Sequence, residues 1–385
     1  MSENKNLDFE QGPIRPPNEA RSLLLRVTRN CSWNQCLFCP VYKGRTFSRR
    51  SVAEVQEDIR TIKKIIEDLK DLSWKTGSGG EIDDAVIARV FQSAAYSQAY
   101  RNVAAWMYYR EFNVFLQDAN NLVLPTAELK AMLDFLRQEV PWVNRITTYA
   151  RAKTTARKTV EELQSLRLAG LDRVHLGLES GSDRVLALMK KGVTAAEHIE
   201  AGRKLKAAGL SVSEYIMPGL GGKELWEDHA LETARVLNAI DPDYIRIRSL
   251  RVPDRIPLKA LVHEGTFTPL TDDEAAEELR LLIDHLEGIN STVTSDHIMN
   301  LLEDVSGKLP QDKGKMLAAI DAYRFLPPEE KLIYRFGRRG GAYRSVRDLE
   351  DQVLRKKIER AIAEVRTQHP EGLETFLNEL VDQYI

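Results

Sequence analysis

Apolar residues recur along this chain in two alternating rhythms: short runs of strand length, then longer stretches with apolar positions three and four apart. Leu23-Leu24-Leu25-Arg26-Val27-Thr28 is the first run. Ser51 to Leu72 is the first helical stretch, with Val55, Ile59, Ile62, Ile65, Ile66 and Leu69 on one side. Gly77-Ser78-Gly79-Gly80 breaks the pattern. Residues 81–112 read as an inserted helical pair rich in aromatics, either packing on the core or forming a lid. From 113 the rhythm is regular. Strands are predicted at Val114–Leu116, Arg145–Tyr149, Val174–Leu178, Val212–Met217 and Tyr244–Arg248. Between them, helices are predicted near 126–138, from Thr159-x-x-Glu162 to Gly170, from Thr194-x-x-Glu197 to Gly209, and over Lys223–Asn238. The two Thr-x-x-Glu strings are capping boxes, and the glycines are stop signals. The helix ends Leu168-Ala-Gly-Leu171 and Ala207-Ala-Gly-Leu210 lie 39 residues apart, the pace of a β/α repeat.

Six strand–helix pairs fit between about residues 20 and 265. Parallel strands joined by helices form a barrel or a doubly wound sheet. Residues 1–20 read as a polar, proline-containing amino-terminal arm, 21–265 as the β/α body with its helical insertion at about 76–112, and 266–385 as a mostly helical extension. Within the extension, helices are predicted at 271–287, 311–324, 346–367 and 372–384, with an arginine-rich loop over 334–347.

Composition adds exclusions. Hydrophobic residues make up 43% and charged ones 29%, which suits a globular chain with a sizeable core. Lys and Arg number 55 against 57 Asp and Glu, so no polyelectrolyte partner is implied. No segment has the length of an apolar membrane span, and the first residues lack an apolar leader, so a cytoplasmic location without a membrane is expected.

All three cysteines, Cys31, Cys36 and Cys39, fall within nine residues directly after the first predicted strand. An odd, clustered set excludes a disulfide framework. The string is C-x4-C-x2-C. Three thiolates on one short loop can hold three corners of a cubane iron–sulfur cluster, leaving the fourth iron for another ligand. Other readings remain open on these residues alone. A structural zinc needs a fourth ligand and commonly a second short-spaced pair. A Cys36–Cys39 redox dithiol leaves Cys31 unexplained, and three unrelated buried thiols need no chemistry at all.

The chain resembles the radical S-adenosylmethionine (radical SAM) superfamily, whose usual string is C-x3-C-x2-C with an aromatic before the last cysteine; Phe38 fills that place. The extra residue between Cys31 and Cys36, with Trp33-Asn34 inside it, resembles an uncharacterised branch. Gly177-Leu-Glu-Ser-Gly-Ser-Asp183 and Ile216-Met-Pro-Gly219-Leu-Gly221-Gly222 resemble the fourth-strand and glycine motifs of the superfamily. Gln117-Asp118-Ala-Asn120 stands where members often carry a Gly-Gly-Glu turn.

The resemblance implies an α/β fold, a partial (β/α)6 TIM-like barrel, with a mostly helical carboxyl-terminal extension. It also implies a [4Fe-4S] cluster on Cys31, Cys36 and Cys39, and S-adenosylmethionine (SAM) chelated at the open iron. SAM would be cleaved reductively to a 5′-deoxyadenosyl radical that takes hydrogen from an unknown substrate. A low-potential electron donor such as flavodoxin or ferredoxin would be a partner. The substrate would be a small molecule rather than RNA. The implied SAM contacts are Phe38, Asp118, Asn120, Arg151, Glu179, Ser180, Gly219 and Gly221. A non-catalytic iron–sulfur or metal-binding regulatory protein on the same fold is the alternative. On the substrate side, Arg246 and Arg248 alternate on one strand. Ser295-Asp296-His297 with Asn300 reads as a helix cap or a polar substrate group.

Overall fold

The computed structural model describes residues 7–369 and 372–382. The first six residues of the expected arm, and residues 383–384 of the last expected helix, lie outside the described residues. The strands are β1 (Leu23–Arg26), β2 (Thr28–Arg29), β3 (Ser48–Arg49), β4 (Asn113–Gln117), β5 (Arg145–Ala150), β6 (Leu171–Glu179), β7 (Ser211–Ile216), β8 (Tyr244–Ile247), β9 (Thr292–Thr294) and β10 (Gly307–Lys308). Eight of them form a sheet in the order β1-β4-β5-β6-β7-β8-β9-β10, while β2 and β3 pair apart. The register sets Leu23 opposite Val114 and Phe115 opposite Thr147, both parallel. β7, β8 and β9 also run parallel, and β10 returns antiparallel. The six predicted strands are all present. Their near-continuous burial is what a parallel sheet flanked by helices requires, since neither face meets water.

The chain forms two compact units, Met1–Asn34 with Val41–Leu176 and Glu200–Val212, and Gln35–Pro40 with Gly177–Ile199 and Ser213–Ile385. In the first, the helix Val52–Thr76 starts at a Ser51–Glu54 capping box and ends on Gly77 at φ 85°. It buries the apolar stripe read from its sequence. The inserted pair, Asp84–Gln92 and Gln98–Tyr109, packs on the core rather than standing over it. Tyr100, Val103 and Trp106 are buried, the Trp106 indole donates to the Asn113 carbonyl at 2.8 Å, and the Tyr100 hydroxyl donates to Asp68 at 2.7 Å. Both later capping boxes form, at Thr159–Glu162 and Thr194–Glu197.

In the second unit, Gly222–Ile240 and Asp272–Asp284 are long helices, followed by Lys313–Arg324, Pro328–Arg339, Gln352–Gln368 and Leu373–Asp382. Two features depart from the expectation. β9 and β10 lie in the extension, too short to show a period. The arginine-rich segment is not a loop at its start: Arg335, Arg338 and Arg339 belong to the helix Pro328–Arg339. Arg338 and Arg339 are buried because their guanidinium groups donate to the Asn300 and Met299 carbonyls, and Arg339 also pairs with Asp272. Pairing of this kind is the condition for burying such a charge. Among the described residues, no helix is long and apolar enough to cross a membrane.

Candidate functional site

The first unit carries Cys31, Asp118, Asn120 and Arg151. Cys31 follows Asn30, which sits at φ 67°, and precedes Asn34 at φ 50°. Asparagine tolerates this left-handed region better than most residues. The Asn34 side chain donates to the Tyr42 carbonyl at 2.6 Å, and its backbone N–H reaches Cys31 Sγ at 3.4 Å. The extra residue of the C-x4-C spacing is thus taken up in a turn around Asn34. Asp118, directly after β4, is fully buried. It accepts from Arg26 Nη2 at 2.6 Å, Arg26 Nε at 2.9 Å, the Asn30 N–H at 2.9 Å and the Tyr42 hydroxyl at 3.0 Å. Asn120, also buried, donates to Ser32 Oγ at 2.9 Å and Thr154 Oγ1 at 3.0 Å, and accepts from the Arg151 N–H at 3.0 Å. Asp118 and Asn120 therefore grip the chain on either side of Cys31. The Arg151 guanidinium lies 5.0 Å from the Trp33 ring centre.

The second unit carries Cys36, Phe38, Cys39, Glu179, Ser180, Gly219 and Gly221. Its cysteine segment is pinned by main chain: the Leu37 N–H donates to the Met189 carbonyl at 3.0 Å, and the Leu37 carbonyl accepts from the Leu258 N–H at 3.0 Å. Phe38 is buried with Val185, Met189, Leu220, Ile256, Leu258 and Phe267, and Cys36 and Cys39 pack against that cluster. Lys191 stands 5.5 Å over the Phe38 ring and pairs with Glu179 at 3.0 Å. Glu179 holds φ 60°, uncommon for a residue with a side chain, and its carbonyl accepts from the Met217 N–H at 3.0 Å. A Cβ on Gly177 would meet Glu179 Oε1 at 2.4 Å, so glycine there leaves room for the ion pair.

Ser180 is buried, with its Oγ 2.7 Å from His229 Nδ1. His229 Nε2 lies 3.0 Å from the Met217 carbonyl, which fixes that nitrogen as the donor and Nδ1 as the acceptor from Ser180. Burial pushes His229 down to about 4, so the ring is neutral at pH 7. Gly219, at φ 92°, donates its N–H to Glu278 Oε2 at 2.5 Å. Burial pushes Glu278 up to about 8, the carboxyl form that a nearly waterless site favours. At Gly221 the demand is steric, since a Cβ would meet the Leu225 carbonyl oxygen at 2.6 Å. The same holds for Gly181, whose Cβ would lie 2.2 Å from the Glu232 carbonyl oxygen. Gly181→Ala is expected to destabilise the chain by about 1–3 kcal/mol through overpacking. Chemical denaturation checks it, and an unchanged midpoint would contradict the close approach.

His229, Glu278 and Glu214 escaped the sequence reading. Glu214 is fully buried in β7, and neither carboxyl oxygen has a hydrogen-bond partner among the described residues. Burial first, then the neighbouring Glu179 charge, push it well above the usual carboxylate range, with Lys191 opposing. Its signal was present: one acid in the apolar run Val212-Ser-Glu-Tyr-Ile216. On the substrate side, Arg246 is buried and donates to Ser213 Oγ at 3.1 Å, and Arg248 lies 5.2 Å from the Tyr215 ring. Ser295 and Asp296 cap no helix; they follow β9 directly, and Ser295 Oγ donates to the Leu302 carbonyl at 2.7 Å.

The cysteines are half-buried and in no disulfide. Among the described residues, no three His, Cys, Asp or Glu side chains are gathered as a metal-holding group. The donor chemistry nonetheless fits a cluster with three protein ligands: thiols only, apolar packing around two of them, and an N–H directed at the third.

Comparison with known proteins bears on the segment that follows the cysteines. Residues 109–234 match the Radical SAM superfamily. A tRNA uridine(34) acetyltransferase of Methanocaldococcus infernus is 30% identical over 118 residues, 30% of this chain and 22% of its own length. A tRNA-2-methylthio-N(6)-dimethylallyladenosine synthase of Nitrosomonas europaea is 35% identical over 122 residues, 30% of this chain and 26% of its own. The chain thus spans about a quarter of the length of these curated relatives. Coproporphyrinogen III oxidase of Escherichia coli, a radical SAM enzyme, aligns at 13% identity with a TM-score of 0.44, over 69% of this chain and 52% of the other. The match leads to one statement: residues 109–234 of this chain carry the pattern of the radical SAM superfamily, whose members use a [4Fe-4S] cluster and S-adenosylmethionine.

Proposed function

We propose that this chain is a radical SAM enzyme with Cys31, Cys36 and Cys39 as the cluster ligands. These three thiolates would hold a [4Fe-4S] cluster, which when reduced would supply the one electron needed to cleave SAM to methionine and a 5′-deoxyadenosyl radical for hydrogen abstraction. The observation that carries the reading is the all-cysteine loop, braced at Asn30 and Ser32 by the buried Asp118 and Asn120 and at Leu37 by main chain. Each part of the loop is thus tied to its own unit, Cys31 through Asn30 and Ser32 and the Cys36–Cys39 segment through Leu37. Phe38 and its apolar neighbours exclude water, which a primary radical requires. Glu179 with Lys191, and the Gly219 turn with Glu278, are the groups assigned to SAM in the second unit. Arg151 is assigned to the SAM carboxylate in the first. Asp118 and Asn120 act there by positioning, since their polar atoms are already engaged.

A flavodoxin or ferredoxin is the expected electron donor, and a reducing cytoplasm the expected compartment. The curated relatives are named for tRNA. Here the net charge is −2, and Arg338 and Arg339 are buried on carbonyls instead of facing a phosphate backbone. A small molecule is therefore the preferred substrate.

The test is anaerobic reconstitution, with iron and sulfide counted and 5′-deoxyadenosine assayed under dithionite. About four irons per chain and SAM cleavage are expected. Bound zinc without SAM turnover would overturn the reading in favour of a non-catalytic metal protein.

A further inference from the structure

Residues 20–53 carry seven cations and no Asp or Glu, although the net charge of the chain is −2. Cys31 lies within this run. In the first unit β3 pairs antiparallel with β2, which sets Arg49 opposite Thr28, three residues before Cys31. Residues 42–46 are bonded through their carbonyls to both sides of that cysteine. Asn30 Nδ2 donates to the Thr46 carbonyl at 2.6 Å, and Asn34 Nδ2 donates to the carbonyls of Tyr42 at 2.6 Å and Arg45 at 3.2 Å. The basic segment and the Cys31 turn are thus held together by direct bonds.

Four of the seven cations have a carboxylate. Arg21 pairs with Glu111 at 3.0 Å, Arg26 with Asp118 at 2.6 Å, Arg29 with Glu10 at 2.6 Å, and Arg50 with Asp58. Lys43, Arg45 and Arg49 have none. Lys43 donates to a neutral acceptor, the Asn34 carbonyl, at 3.0 Å. Arg45 and Arg49 are exposed, and neither makes an ion pair among the described residues. Glu54, the first acid beyond the run, is engaged by Arg29 at 3.0 Å and by the Ser51 hydroxyl at 2.8 Å. Three positive charges therefore stand around the Cys31 turn without a counter-charge. RNA binding draws on a longer track of phosphate contacts than this segment offers. Electron-transfer encounters between proteins are small and steered by complementary charge, which is the scale and the chemistry found here.

We propose that residues 43–49 dock an acidic one-electron carrier protein, which delivers its electron at the Cys31 turn. The proposal rests on the radical SAM reading, because it supplies that chemistry with its reductant. The reduced carrier loses one electron to the oxidised cluster, and no bond is made or broken in the transfer. The probe is a flavodoxin, an acidic protein, titrated calorimetrically into the full reconstituted chain. At low salt R45E/R49E should bind it about tenfold more weakly than the wild type. The difference should shrink at about 0.5 M salt, where charges are screened over a few ångström. R45K/R49K keeps both charges and should bind as the wild type does. With reduced flavodoxin, R45E/R49E should form 5′-deoxyadenosine about tenfold more slowly. With dithionite, a small reductant that needs no docking surface, it should match the wild type. Circular dichroism confirms that each variant is folded. Equal flavodoxin affinity in R45E/R49E and the wild type, or an equal loss of turnover with both reductants, would overturn the proposal. So would a loss of tRNA binding in R45E/R49E with flavodoxin binding untouched. C36A separates the two ideas: it should lose SAM cleavage and keep flavodoxin binding. A wild-type chain that binds flavodoxin through these arginines but never forms 5′-deoxyadenosine with dithionite refutes the radical chemistry alone.

Discussion

Cys36→Ala is expected to reduce bound iron from about four per chain to background and to lower 5′-deoxyadenosine formation by more than about 100-fold. The chain has three cysteines and no substitute for any of them, and no histidine lies within the ligand loop. Losing one thiolate leaves two, which cannot hold a cubane. The fold should survive, because Cys36 is half-buried at the margin of the apolar cluster and the segment is pinned by Leu37 main chain. The loss of a small buried group there costs about 1 kcal/mol or less. An unchanged circular dichroism spectrum beside absent iron is therefore the expected pair of results. Asn34→Ala tests the same loop more gently. It removes the side-chain bond to the Tyr42 carbonyl and disfavours φ 50°, yet leaves all three thiols. Cluster loading should become partial. Full iron content and turnover in C36A would remove the ligand assignment altogether.

The strand–helix rhythm was legible because its signals are local. Parallel strands buried on both faces are continuous apolar runs, and helices opened by Thr-x-x-Glu and closed by glycine mark their own ends. The capping boxes at Thr159 and Thr194 formed for that reason. β9 and β10 were missed because strands of three and two residues hold too few positions to show a period. The helix through Arg335–Arg339 was misread because its arginines look solvated in sequence. Partners distant in sequence, the Asn300 and Met299 carbonyls and the Asp272 carboxylate, make their burial affordable. The cysteine loop announced itself by composition. Its bracing did not, since the partners of Asp118 and Asn120 lie about 90 residues away in sequence, at Arg26, Asn30 and Ser32. Asp118 and Asn120 were singled out as SAM contacts, and the structure adds their bonds to the chain on either side of Cys31. His229 and Glu278 looked like ordinary helix residues, and it is their burial that gives them chemistry.

These two residues set the second large effect. Glu278 is buried with its proton on, at about 8 against an ordinary 4.5, so its contribution to stability is full below pH 4.5 and is lost as pH rises towards 8. His229 is buried without a proton, at about 4 against an ordinary 6.5, so its contribution is full above pH 6.5 and is lost as pH falls towards 4. Between pH 4.5 and 6.5 the two slopes oppose and cancel. Of these two, only Glu278 still titrates above 6.5, and its share of the stability should fall by about 2 kcal/mol by pH 8, with the buried Glu214 carboxyl sloping the same way. Glu278→Gln keeps an oxygen to accept the Gly219 N–H but cannot ionise, so its denaturation midpoint should decline less steeply from pH 6.5 to 8 than that of the wild type, the remaining slope being that of the buried Glu214. An equally steep decline in the variant would place the titration elsewhere. A functional consequence follows under the proposed activity. A carboxylate forming in this closed space, 3.9 Å from His229 Nε2, draws water or cations towards it and loosens the turn it supports. The KM for SAM should therefore rise above pH 8 in the wild type and stay level in Glu278→Gln, a split that a purely structural role for Glu278 does not produce.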